Sequence, residues 1–118
     1  MPVYVDNAKN PYGRMLMCHM VADTIGELLE MADEIKIARR HFQPWSHPHF
    51  DLSQSYRARA VSKGAIQVNR RQLVDAMKRH RLLMLENPSE VAAYESATAN
   101  STRGKSKPGC RQIKVAIL

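Results

Sequence analysis

The chain has 118 residues, 44% of them hydrophobic, and a net charge of +7. That is enough for one modest core and excludes disorder throughout. No apolar run approaches the ~18 residues of a membrane span, and MPVYVDNAKN lacks the basic-then-apolar pattern of a secretion signal. Cys18 and Cys110 stand far apart in unlike contexts, so reduced thiols and a cytoplasmic location are the expectation, with no membrane partner.

The charge is lopsided. Residues 1–51 hold five Lys/Arg against seven Asp/Glu, and residues 52–118 hold thirteen against four. A basic C-terminal half suits a polyanionic partner, although basic small proteins also owe their charge to solubility alone.

In chain order, Val3-Tyr4-Val5 is a β-prone run that ends at Asp6. Asn10-Pro11-Tyr12-Gly13 reads as a turn leading into Arg14. Met15 to Ala22 is an apolar run broken by His19, which suits a buried strand and nearly as well a short helix. Thr24 and Glu27 form a capping box for an amphipathic helix with Ile25, Leu28, Leu29, Ala32 and Ile35 on one face. The stretch from Phe42 to Asp51 carries two prolines and reads as a loop, extended near its end.

Ser53 caps a second helix to Lys63, closed by Gly64. Residues 65–68 alternate like a strand. Asn69 and Gln72 open a third helix to about Leu85, with Leu73, Val74, Met77 and Leu82 as its inward candidates. Asn87-Pro88-Ser89-Glu90 starts a short fourth helix through about Ser96. The alternation predicts a small single α/β domain over residues 1–96, with a short, mainly parallel sheet and three or four helices. Residues 97–118 read as a flexible basic linker and tail with a β-prone end.

Ligands of such sheets gather at the carboxyl ends of strands, which directs attention to Asp6, His19 and Asp23. Arg14, Arg39 and Arg40 are candidate phosphate forks, because guanidinium binds phosphate oxygens in pairs. Arg39 and Arg40 also suit the end of an acidic helix electrostatically. His19 and His49 are the candidate proton carriers, with Asp6, Asp23 or Asp51 to orient them. His47, His49 and Asp51 alternate in a way that could place them on one side, but no standard metal-binding spacing is present, and neither metal nor cofactor is assigned. Arg70, Arg71, Lys78, Arg79 and Arg81, with His80, gather near the ends of the third helix and could neutralise nucleic-acid phosphates.

Several short pieces together, Tyr4-Val5-Asp6, Pro11-x-Gly13-Arg14, Cys18-His19-Met20, Ala22-Asp23-Thr24, Ala38-Arg39-Arg40, His49-Phe50-Asp51 and Gly64-Ala65, resemble a small domain of unknown function found in bacteria and their phages. The resemblance covers about residues 3–81. Members tend to have His-Tyr-Asp where this chain has His49-Phe50-Asp51. It implies no established activity; it does imply that these polar residues share one site, and that a phage accessory role is open.

Two functions follow as expectations. One is binding of a phosphorylated small molecule, nucleotide or nucleic-acid end, with hydrolase or transferase chemistry left open. The other is a non-enzymatic, phage-type accessory protein that binds a host protein or nucleic acid through the basic C-terminal half. Substrate and oligomeric state are not legible.

Overall fold

Val3–Val5 (β1), Asn10–Tyr12 (β2) and Met15–Ala22 (β3) form one long antiparallel ribbon in the computed structural model, which describes residues 2–102. The apolar run around His19 is therefore a strand. The turn expected at residues 10–13 is displaced by two residues. Asn10 to Tyr12 pair with β3, and the reversal itself is Gly13-Arg14, with Gly13 at φ 60. A positive φ at the first central position is the geometry of a two-residue hairpin loop, and glycine takes it without strain. Pro11 is accommodated because β2 is an edge strand.

The ribbon is interrupted. Val5 pairs with Met20, but Asn10 pairs with Met17. Four residues, 6–9, therefore span what two residues span on β3, and Asp6 sits at the start of this bulge. On its other edge β3 pairs antiparallel with Phe50–Ser53 (β4), and β1 pairs parallel with Ile66–Gln67 (β5). Of the four strand pairings, three are antiparallel. The sheet is mixed, and the expectation of a mainly parallel sheet is corrected. The tight Gly13 reversal sets β2 directly against β3, and among the described residues β1–β5 is the parallel pair.

Side-chain alternation divides the sheet into two faces. Val3, Val5, Cys18, Met20, Ala22, Phe50 and Leu52 are buried on one. Against them pack Ile25–Glu34 (α1), Gln54–Ser62 (α2) and Pro88–Ala99 (α4), with Leu28, Ala60 and Tyr94 among the contacts. Arg70–Glu86 (α3) covers part of the other face, where Leu73 and Ala76 meet Val21 and Val68. Leu73 points inward as expected and Met77 packs partly buried beside it, with Ala76, His80 and Met84 completing the buried stripe; Val74 and Leu82 are exposed. The helix expected to end near Ser96 continues to Ala99, with Ala97 buried.

Each helix begins where its cap dictates. Thr24, Ser53, Asn69 and Asn87 all accept a first-turn backbone N–H through their side chains. After α1, Lys36 reverses the chain at φ 69 and a 3₁₀ turn, Arg39–His41, carries it to the sheet edge. The expected tail residues from Arg103 onward lie outside the described residues.

Candidate functional site

The face that α3 leaves partly open carries a row of polar side chains across three strands. Register places them there: Asp6 lies opposite His19, with the Asp6 N–H donating to the His19 carbonyl at 3.2 Å, and His19 pairs with Asp51. In a regular ladder the His19 N–H would return to the Asp6 carbonyl. Here it donates to Asp6 Oδ1 at 2.8 Å, and the freed Asp6 carbonyl accepts from Arg57 Nε at 2.7 Å. The bulge thus turns a backbone ladder position into a carboxylate seat.

Asp6 Oδ2 then meets His19 Nδ1 at 2.8 Å. An ionised carboxylate can only accept, so Nδ1 carries the proton and Nε2 presents its lone pair outward. Among the described residues no group pairs with Nε2. The hydrogen bond to Asp6 raises the His19 pKa above its ordinary value against the opposing effect of burial, and the nearby charges of Asp6 and Asp51 add to the rise. Burial works against ionisation of Asp6, but the bonds from the His19 ring and backbone outweigh it and hold the carboxyl below its usual range.

A second pair stands beside the first. His49 Nδ1 donates to the His47 carbonyl at 2.6 Å, and Nε2 faces Asp51 Oδ1 at 3.3 Å. Gln43 Nε2 donates to Asp51 Oδ2 at 2.8 Å, and Gln43 and His49 are bridged through their backbones. Burial opposes ionisation of Asp51 too, yet its His49 and Gln43 contacts leave its pKa lowered. The His19 and His49 ring centroids are 5.7 Å apart, edge to face.

Two clefts meet at this row, and His19 and Gln43 line both. The larger, about 570 Å³, lies between the β2–β3 ribbon and the 3₁₀ turn, and Lys36 and Arg40 stand in its wall with Asp51 and Tyr12. The smaller, about 380 Å³, runs between residues 43–49 and α3, with Arg70 at its edge and Asp6 and His49 in its lining.

The structure brings together Asp6, His19, Arg40, His49 and Asp51, with Arg70 at the far side. It separates the others. Arg14 is exposed in the ribbon turn and lines neither of the two clefts. Arg39 points the other way and forks onto Asp33, Nε–Oδ1 3.0 Å and Nη2–Oδ2 2.6 Å. Asp23 lies just past the end of β3, 3.7 Å from Arg79, whose guanidinium also donates to the Tyr4 hydroxyl at 3.2 Å. Arg70, Arg71, Lys78, Arg79 and Arg81 are all exposed along α3, but His80 is buried against Glu90 at 2.5 Å and is not part of that surface. His47 does not share a side with His49 and Asp51 as a ligand set: it is buried, packed edge to face on His80 at 5.4 Å. Burial pushes its pKa down to about 3, so it stays neutral. The Cys18 thiol is buried in the core, which pushes it up to about 11 and leaves it a poor nucleophile.

Lys36, Gln43 and Arg57 are site residues that sequence reasoning passed over. Lys36 had a local signal, since it follows the last helical apolar position. Arg57 and Gln43 had none, because their partners lie on other strands.

A family model described as Protein of unknown function (DUF4031) matches residues 3–80. No curated protein and no solved structure matches the chain.

Proposed function

Since this chain belongs to the DUF4031 family, whose matched span contains every residue of the polar row, we propose that the row binds a phosphorylated ligand, a nucleotide or a nucleic-acid end, with His19 transferring a proton in a hydrolase or transferase reaction. The observation that carries this reading is His19 Nε2, without a partner among the described residues, at the seam of two clefts, with Nδ1 held by Asp6 at 2.8 Å.

Each part has a chemical role. The carboxylate of Asp6 fixes the ring's tautomer and stabilises the imidazolium formed when Nε2 takes a proton. The bond to Asp6 raises the His19 pKa, so the same contact that fixes the ring favours the imidazolium formed when Nε2 accepts a proton. Arg40 and Lys36 in the larger cleft supply the positive charge that phosphate oxygens require. Water or a hydroxyl between His19 and the bound phosphoryl group would lose its proton to Nε2 as its oxygen bonds to phosphorus; the phosphorus–oxygen bond to the leaving alcohol or phosphate breaks, the leaving oxygen takes a proton from solvent, and the imidazolium then gives its own back to water. Asp51 is held by Gln43 and His49, which keeps a second carboxylate–imidazole pair beside the first.

Titration with inorganic phosphate and with thymidine monophosphate, followed by NMR of the histidine rings, tests the proposal. The His19 signal should move on binding, and Arg40→Ala should weaken binding about tenfold, the worth of one charge-assisted contact. His19→Gln should keep binding and lose turnover of any substrate found. Binding that leaves the His19 resonance unmoved would overturn the assignment.

A further inference from the structure

We infer that the smaller cleft is a nucleobase subsite, so that the ligand of the polar row is a nucleotide with its phosphate in the larger cleft and its base between residues 43–49 and α3. This rests on the proposed phosphate-binding role of the larger cleft and adds to it the class of ligand.

The smaller cleft, of about 380 Å³, has the size and make-up of a small-molecule pocket, mostly apolar with a few polar groups. Val21, Leu73, Val74 and Met77 give it apolar walls, and Trp45 adds a large aromatic side chain. His19 lines both clefts, so a group seated here is continuous with one held beside Lys36 and Arg40. Apolar walls alone would suit an acyl chain as well as a ring.

Two polar atoms decide between them. Trp45 and His47 both line this cleft and are 6% and 2% exposed. Trp45 Nε1 and His47 Nδ1 are buried, and neither has a hydrogen-bond partner among the described residues. Buried polar atoms are nearly always paired, and one without a partner is costly. The backbone holds the two residues in this place. The His47 N–H donates to the Trp45 carbonyl at 2.6 Å around Ser46, whose φ is 61. That is a tight three-residue turn, and a residue other than glycine keeps such a φ only at a cost.

The chemistry of the two atoms selects the ligand. An indole N–H can only donate, so its partner must carry an acceptor; a neutral imidazole nitrogen takes either role according to its tautomer. A nucleobase offers flat apolar faces to the walls and an edge of carbonyls and ring nitrogens to these atoms. An acyl chain would leave both unpaired, and a sugar would set hydroxyls against Val21 and Leu73.

The test uses the full chain and three kinds of probe, titrated by calorimetry: inorganic phosphate, ribose phosphate, and the monophosphates of adenosine, guanosine, cytidine and uridine. At least one nucleotide should bind about tenfold more tightly than ribose phosphate, the worth of one buried hydrogen bond. Trp45 is the single tryptophan of the chain, so its fluorescence should change with that nucleotide and hold steady with inorganic phosphate. Trp45→Phe keeps an aromatic ring without Nε1 and should remove most of the nucleotide's advantage. Val74→Trp, at an exposed position of α3, should close the cleft to nucleotides without disturbing the core. Neither substitution should change the affinity for inorganic phosphate. If no nucleotide outbinds ribose phosphate, or if Val74→Trp holds the nucleotide as tightly as the parent does, the base subsite is overturned while the phosphate site stands. Failure of every probe to bind removes the phosphate site as well.

Discussion

Asp6 holds His19 with both carboxylate oxygens: Oδ1 takes the backbone N–H and Oδ2 the ring Nδ1, each at 2.8 Å. One side chain thus fixes the strand, the ring and its tautomer together. The two-residue excess between β1 and β2 is what brings the carboxylate into the ladder position.

The pair makes stability depend on pH in a bounded window. The Asp6 pKa is lowered on folding, so its contribution is present above the usual carboxylate value and fades as pH falls through the folded value. The His19 pKa is raised, so its contribution is complete below about pH 6.5, the ordinary histidine value, and is lost as pH rises through the folded value. The pair therefore helps most between about pH 4 and 6.5. Asp6→Asn should remove this, costing on the order of 1 kcal/mol there, with His19 partly exposed and screened. Thermal midpoints of both proteins across pH check it. A constant difference from pH 4 to 9 would contradict the linkage. In the same variant the His19 titration by NMR should move down toward an ordinary histidine.

Arg57 carries the backbone side of the same arrangement. Its Nε donates to the Asp6 carbonyl at 2.7 Å, and its Nη1 reaches Gln67 at 3.3 Å, tying α2 to β1 and β5. Arg57→Met keeps much of the apolar stem but leaves that carbonyl without its partner. The expected loss is about 1–3 kcal/mol, the usual cost of an unsatisfied buried acceptor. Urea midpoints measure it, and Arg57→Lys should recover only part, since a single ammonium lacks the guanidinium fork. Equal stability of the Met variant and the parent would show that water replaces the bond.

Local chemistry was legible in this sequence and cross-strand chemistry was not. Thr24, Ser53, Asn69 and Asn87 announced four helix starts because a cap and its first turn are sequence neighbours. Asp6 stood out at a strand end, His19 within an apolar run and His49 and Asp51 in the Pro/His loop, but their mutual pairing depended on register, which a bulge shifted. Pro11 hid β2 because a proline in a strand is acceptable only at an edge, and which strand is an edge is a tertiary fact. His47 looked like a ligand because alternation near His49 and Asp51 was visible. Its burial against His80 was not, because the packing of 43–49 against α3 joins residues more than thirty positions apart.

His47 gives a second pH effect, of opposite sign to that of His19. Burial holds its folded pKa at about 3, so the unfolded chain binds the extra proton below about pH 6.5. Stability then falls as pH drops from that point, by up to about 4 kcal/mol on reaching pH 3. His47→Leu removes the titration and keeps an apolar side chain against His80. Its denaturation midpoint should decline less steeply than the parent's between pH 6 and 4. A parallel decline in both proteins would show that His47 does not stay neutral when buried.

Glu90 joins three helices through one carboxylate oxygen. Oε2 accepts from the Ile25 N–H at 2.6 Å, which serves the first turn of α1, and meets His80 Nε2 of α3 at 2.5 Å. Glu90 itself is buried in the first turn of α4. An acid at the start of α1 suits the positive end of that helix, and the contact holds only if α4 is docked. Glu90→Ala would strand both the Ile25 N–H and the His80 ring in the interior. Removing one partner of a buried, hydrogen-bonded charge costs about 3–5 kcal/mol, so this variant should be among the most destabilised single substitutions in the chain. Glu90→Gln keeps a carbonyl oxygen within reach of both donors and should recover most of the loss. Urea unfolding of the two variants beside the parent decides the matter. If Ala and Gln prove equally damaging, the charge on Glu90, and not its hydrogen-bond capacity, is what holds α1, α3 and α4 together.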